Sequence, residues 1–174
     1  EPIPEGAPYG GVVVHWWADS KTANPVPQLI EGSAYASQTR VTTWQVREHV
    51  YRRPVERLQP GVDPAGISMF GTAYRRGDFT LEEFFRYWDD IHAPISVRLP
   101  GMGGYISAEI EEHVEGDLQV DGLVELWWPS KETLDAAEQT PENEAAWADV
   151  GEYAEEKGAF WLLGSHVLIV PPDA

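Results

Sequence analysis

Two periods of apolar residues run along this chain of 174 residues, and the switches between them outline its elements. Residues 11–17 carry Val12, Val13, Val14, Trp16 and Trp17 almost without interruption, which predicts a buried strand. Asn24, Pro25, Val26 and Pro27 then form a loop. Residues 36–52 are β-rich, with Arg40, Thr42, Trp44 and Val46 on one parity against Val41, Thr43, Gln45 and Arg47 on the other. Pro54 and the pair Pro60 and Gly61 mark a linker. Beyond it, strands are predicted over 66–74, 105–114, 122–128 and 160–170, the last stopped by Pro171 and Pro172. One helix starts at Leu81, with Thr80 and Glu83 at capping-box spacing. A second follows Ser130 as N-cap through Glu138, and a third restarts at Thr140 and Pro141 and runs to about Lys157.

The resulting order after the linker is β-α-β-β-α-β, a ferredoxin-like α+β module with helices on one face of an antiparallel sheet. We expect two parts: a β-rich N-terminal segment over 1–60 and the ferredoxin-like domain over 61–174. The strand Leu123, Val124, Glu125, Leu126, Trp127, Trp128 is apolar on both parities, as are Trp161, Leu162, Leu163 and Val167 to Val170. A sheet with one wet face alternates instead. The second face therefore calls for cover, from a second copy of the chain or from an internal repeat. An echo between Val12-Val13-Val14-His15-Trp16-Trp17 and Leu123-Val124-Glu125-Leu126-Trp127-Trp128 raises the repeat reading, in which 1–60 is a degenerate half module.

Projected at helical period, Leu81, Phe84, Phe85, Trp88, Ile91 and His92 share one face, with Glu82, Glu83, Arg86, Asp89 and Asp90 opposite as a solvated face. Tyr87 lies on the flank. Pro94 lacks the N–H that would reach the Asp90 carbonyl, so the helix is expected to kink or restart beside His92. An imidazole against an apolar surface suits acid–base work near neutral pH. The plain alternative is a core histidine bonded to a backbone carbonyl.

Composition narrows the partners. The formal net charge is −17, which repels nucleic acid and anionic membranes. The sequence has no cysteine, which excludes disulfides, thiolate metal sites and thiol nucleophiles. Eight Trp and seven Tyr in a chain of this length suggest aromatic-lined space as well as packing. The first residue is Glu1 rather than Met, which suggests that an upstream segment has been removed. With no bilayer-length apolar run and no visible signal peptide, a cytoplasmic protein is expected. The five histidines include no pair at ligand spacing, so no metal is expected. No phosphate-binding glycine loop and no Gly-x-Ser-x-Gly elbow is present.

The stretch Tyr87-Trp88-Asp89-Asp90-Ile91-His92-Ala93-Pro94-Ile95, followed by Leu99-Pro100-Gly101-Met102-Gly103-Gly104-Tyr105, resembles the EthD-like branch of the dimeric α/β-barrel proteins. The similarity covers roughly 66–170. Ile95 stands where that branch usually has Leu. The resemblance implies a module whose sheet packs on that of a homodimeric partner to close a barrel, with a ligand pocket between sheet and helices that includes His92. Relatives in that superfamily include cofactor-free cyclases, dehydratases and monooxygenases.

On this reading the function is that of a cofactor-independent lyase, cyclase or dehydratase acting on a hydrophobic aromatic or polyketide-like molecule. His92 is the expected general base, and Tyr87 or Tyr105 the hydrogen-bond donor to a developing oxyanion. Trp88, Phe70, Trp127 and Trp128 are expected to line the pocket, and His166 is a candidate to reach it. No cofactor is expected. The alternative is a non-catalytic accessory protein that shelters a hydrophobic intermediate. The lack of a second catalytic group beside His92 in the sequence favours it. His49 could supply such a group, whereas His113 and His15 read as structural.

Overall fold

The computed structural model describes residues 41–52, 66–155 and 161–164. Its elements are β1 (Thr43–Arg52), β2 (Ile67–Arg75), α1 (Leu81–Tyr87), a π-helical turn (Trp88–His92), α2 (Ala93–Ser96), β3 (Gly104–Glu115), β4 (Gly122–Trp128), α3 (Lys131–Glu138), α4 (Pro141–Tyr153), β5 (Ala154–Glu155) and β6 (Trp161–Gly164). The sheet runs β1-β3-β4-β2-β5, with β6 also paired to β2, and every pairing is antiparallel. Strands β2, β3, β4 and β6 reproduce the ferredoxin-like arrangement expected from the order of elements.

β1 adds a strand to the β3 edge of this same sheet, from Thr43 opposite Glu115 to Arg52 opposite Tyr105. Arg52 also donates to the carbonyls of Met102 at 2.6 Å and Val97 at 3.1 Å. These bonds satisfy orphan carbonyls after α2 and tie β1 to the end of the helical run. The Trp-Trp echo at 12–17, its His15 and the C-terminal half of the predicted last strand, with His166, lie outside the described residues.

Local chemistry explains the helix starts. The Thr80 hydroxyl accepts from the Glu83 N–H, and the Glu83 carboxylate accepts from the Thr80 N–H at 2.9 Å, completing the capping box. Ser130 and Thr140 cap α3 and α4, with Pro141 in the first turn of α4. α4 stops at Tyr153, not near 157, because the chain turns extended at Ala154 to pair with β2.

The core lies between the sheet and the helices. Phe84, Phe85 and Trp88 of the helical run pack with Tyr105, Val124, Trp128, Leu134 and Tyr153. Ile91, expected on this apolar stripe, is 44% exposed, whereas His92 is 7% exposed. The π-helical turn is the reason. The Ala93 N–H reaches back to the Trp88 carbonyl, five residues away, and Pro94 can offer no N–H to Asp90. The widened turn swings Ile91 to solvent and directs His92 toward α4. Pro94 thus changes the winding without breaking the run. Among the described residues, no helix is long and apolar enough to cross a membrane.

Candidate active site

His92 is held from both sides. Its Nδ1 lies 2.9 Å from the Asp149 carboxylate on α4, and its Nε2 lies 3.0 Å from the Ser96 hydroxyl one turn later on its own helix. The other Asp149 oxygen accepts from the Tyr87 hydroxyl at 3.0 Å. On the inner side, the Trp88 indole N–H donates to the Tyr105 hydroxyl at 2.6 Å, and the Tyr105 hydroxyl also interacts with Ser96.

Counting protons gives this chain of groups a direction. Asp149, as a carboxylate, can only accept, so the neutral His92 ring carries its proton on Nδ1. Its Nε2 then accepts, so Ser96 gives its one hydrogen to Nε2 and can only accept from Tyr105. The Tyr105 oxygen in turn accepts from Trp88, which can only donate. The series Trp88, Tyr105, Ser96, His92, Asp149 is therefore satisfied by one arrangement of hydrogens, with neutral imidazole and its Nε2 lone pair facing Ser96.

The electrostatics agree with a neutral ring. Burial pushes the His92 pKa below its ordinary value of 6.5, although the Asp149 hydrogen bond and charge pull it up. Burial prevails, since the His92 side chain is 8% exposed and Asp149 12%. Burial also raises the pKa of Tyr105 and Tyr153 far above the ordinary phenol, and that of Tyr87, which the Asp149 carboxylate raises further. All three are neutral hydrogen-bond donors at physiological pH.

Beside this series lies a cavity of about 410 Å³, lined by Trp88, His92, Ser96, Tyr105, Trp128 and Tyr153 among others. This is within the size range of small-molecule sites. The Tyr153 ring centres the wall, 5.0 Å from His92, 5.1 Å from Tyr87 and 5.3 Å from Phe84. The Trp128 indole N–H is buried in this wall with no hydrogen-bond partner among the described residues. Such a donor costs about 1–3 kcal/mol until an acceptor reaches it.

The structure thus brings His92, Trp88, Tyr105 and Trp128 together, but not every residue expected with them. Phe70 and Trp127 do not line the cavity. Side chains alternate across a strand, so Trp128, Leu126 and Val124 face the helices while Trp127 and Glu125 face the other way. Phe70 sits opposite Glu125 on that second face, and the Trp127 ring covers Gly66 and Gly103, where a Cβ would come within 2.6 and 2.1 Å of it. Tyr87 reaches the site only through Asp149. His166 lies outside the described residues.

Three residues of the site were not singled out in the sequence: Asp149, Ser96 and Tyr153. Ser96 was findable, four positions after His92 on one helix. Asp149 and Tyr153 carry no local signal. The helix also has a second polar flank. Asp89, expected to be solvated, lies 3.2 Å from His49 Nδ1 and accepts from the Tyr51 hydroxyl, which in turn contacts Ser107 at 2.9 Å. His49 stacks on Phe85 rather than entering the cavity. His113 bonds the Leu118 carbonyl in the turn after β3 at 3.2 Å. Among the described residues, no three His, Asp or Glu side chains are grouped to hold a metal ion.

Residues 76–157 match the EthD domain family. An ethyl tert-butyl ether D family protein of Bacillus halodurans has a similar structure, at 20% identity and a TM-score of 0.50 over 59% of this chain and 99% of that one. A dimeric ferredoxin-like protein of Bacteroides fragilis aligns at 10% identity and a TM-score of 0.46, over 60% of this chain and 100% of that one. SnoaB, a cofactor-independent oxygenase of Streptomyces nogalater, aligns in a mutant form at 13% identity and a TM-score of 0.44, over 62% of this chain and 98% of that one. No curated protein sequence matches the chain.

Proposed function

We propose that this chain, which carries an EthD-like domain, binds a hydrophobic aromatic or polyketide-like molecule in the cavity beside His92 and acts on it by cofactor-independent acid–base chemistry. The observation that carries the reading is the buried His92, fixed by Asp149 with its Nε2 lone pair toward Ser96 and the cavity wall. A substrate bearing an acidic C–H or hydroxyl would displace or recruit the Ser96 hydroxyl and give its proton to Nε2. Asp149 would stabilise the resulting imidazolium, and the Tyr105 hydroxyl would donate to the oxyanion that forms. One such base supplies about 10²–10⁴-fold. That suffices for an activated carbon, such as one between two carbonyls, and the reaction class would be elimination, cyclisation or dehydration.

The same reading takes the chain as a homodimer, with Ile106 and Trp127 of the second sheet face covered by a partner. It keeps 1–60 as a β-rich segment, whose strand β1 extends the sheet of the domain at 61–174. A second reading, a non-catalytic carrier, draws support from Ser96 already occupying the only free lone pair of His92.

Benzoylacetone, an aryl β-diketone, separates the two. The protein should speed deuterium exchange at its central carbon above the buffer rate, and His92→Asn should abolish that acceleration while tryptophan quenching still reports binding. Binding without exchange in the wild type would leave the carrier.

A further inference from the structure

The acid–base reading uses the His92 lone pair, yet that lone pair does not meet the cavity alone. Ser96 stands on it, is 4% exposed, and is itself part of the cavity wall. We propose that Asp149, His92 and Ser96 form a nucleophilic triad, and that this site hydrolyses small carboxylic esters with an aromatic or short apolar group through a covalent acyl-Ser96.

The geometry is that of an activated hydroxyl. Ser96 Oγ lies 3.0 Å from His92 Nε2, and His92 Nδ1 lies 2.9 Å from Asp149, both within hydrogen-bond reach. With Asp149 holding the ring proton on Nδ1, Ser96 donates to Nε2, which is the direction a general base needs. Two donors line the same cavity. Tyr105 directs its hydroxyl at Ser96, and the buried Trp128 indole N–H lacks an acceptor among the described residues. An ester carbonyl offers that acceptor. The volume of about 410 Å³ and its apolar and aromatic wall suit an ester with an apolar acyl group.

In the acylation step the Ser96 oxygen adds to the ester carbonyl carbon while its proton passes to His92 Nε2. The carbon–oxygen bond to the alcohol then breaks, and the leaving oxygen takes that proton. In deacylation, water gives a proton to Nε2 as its oxygen adds to the acyl carbon, and Ser96 leaves with the proton restored. Asp149 stabilises the imidazolium in both steps without taking the proton.

The triad goes beyond the acid–base reading and stands or falls separately, because acylation needs no acidic C–H and benzoylacetone exchange needs no acyl group. The test uses the full chain with p-nitrophenyl acetate and diisopropyl fluorophosphate. The expected result is a burst of one p-nitrophenolate per chain and a single phosphoryl adduct mapped to the Ser96 peptide. Ser96→Ala should remove both, and His92→Asn should reduce the hydrolysis rate to that of buffer. Because the sequence has no cysteine, Ser96→Cys provides a second measure that keeps a nucleophile in place. Its thiol should be acylated once per chain, as a thioester visible by mass. Hydrolysis unchanged in Ser96→Ala, adducts only on other residues, or a Ser96→Cys thiol that stays unacylated in the folded protein would overturn the triad.

Discussion

Asp149 lies 2.9 Å from Nδ1 of His92, although the two are 57 positions apart in the chain. That contact joins α4 to the π-helical turn and decides which imidazole nitrogen carries the proton. It also gives Tyr87 its role, since the Tyr87 hydroxyl binds the second Asp149 oxygen.

Asp149→Asn keeps the shape of this contact but allows the amide to donate to Nδ1. The imidazole should then carry its proton on Nε2, facing Ser96. Exchange of benzoylacetone should fall by about 10²–10⁴-fold. Nitrogen-detected NMR of the ring reads the tautomer directly, and an unchanged Nδ1–H would sink the assignment.

The depressed His92 pKa predicts a pH-dependent stability. In the unfolded chain the ring titrates near its ordinary 6.5, and in the folded chain at a lower pH because of burial. Between those values the unfolded state binds more protons, so stability is full above the ordinary value and is lost as pH falls toward the folded pKa. Each unit of depression corresponds to about 1.4 kcal/mol. Urea unfolding between about pH 5 and pH 8 should show this slope in the wild type and a flatter one in His92→Gln. Equal slopes would mean that His92 is not the titrating group.

Pro94 imposes the wide turn. Pro94→Ala would restore an N–H able to bond the Asp90 carbonyl and so favour ordinary α winding over Trp88–His92. Ile91 would rotate back toward the core, and His92 would leave Asp149. Turnover should drop by about 10-fold or more, the equivalent of about 1.4 kcal/mol. Backbone chemical shifts across residues 88–92 should move with it, and a variant with wild-type shifts would show that the turn has another origin.

The second sheet face offers a test of assembly. Ile106 of β3 and Trp127 of β4 lie on it, both left partly exposed within one chain. A charge at its centre is costly when two such faces are pressed together. Native mass spectrometry should find a dimer for the wild type and a monomer for Ile106→Asp, with the circular dichroism of the chain preserved. A wild-type monomer would remove the dimeric reading.

Much of the fold could be read along the chain because it is local physics. Apolar runs between turn residues placed β2, β3 and β4, Thr80, Ser130 and Thr140 announced the helices by their capping chemistry, and the stripe of Phe84, Phe85 and Trp88 marked the buried face. His92 was visible for the same reason, as a titratable group close to that stripe. The helical wheel failed at Ile91 because it assumes one winding throughout, and a π turn before Pro94 changes the angle per residue. Trp127 and Trp128 are adjacent and equally apolar, yet only one can face the helices. Which one does depends on register, which strand pairing with β2 and β3 sets.

What the sequence determined by itself, among the described residues, is the order of the main strands and helices, the helix starts and the residue types each element carries. Short-range periodicity and end-capping encode these within a few residues. Only the tertiary structure decided that Asp149 completes His92, that Tyr153 walls the cavity, that β1 joins the β3 edge and that His49 pairs with Asp89. Each of these depends on how separate elements dock across the sheet, through contacts between segments far apart in the chain, and no periodicity within one segment records its distant partner.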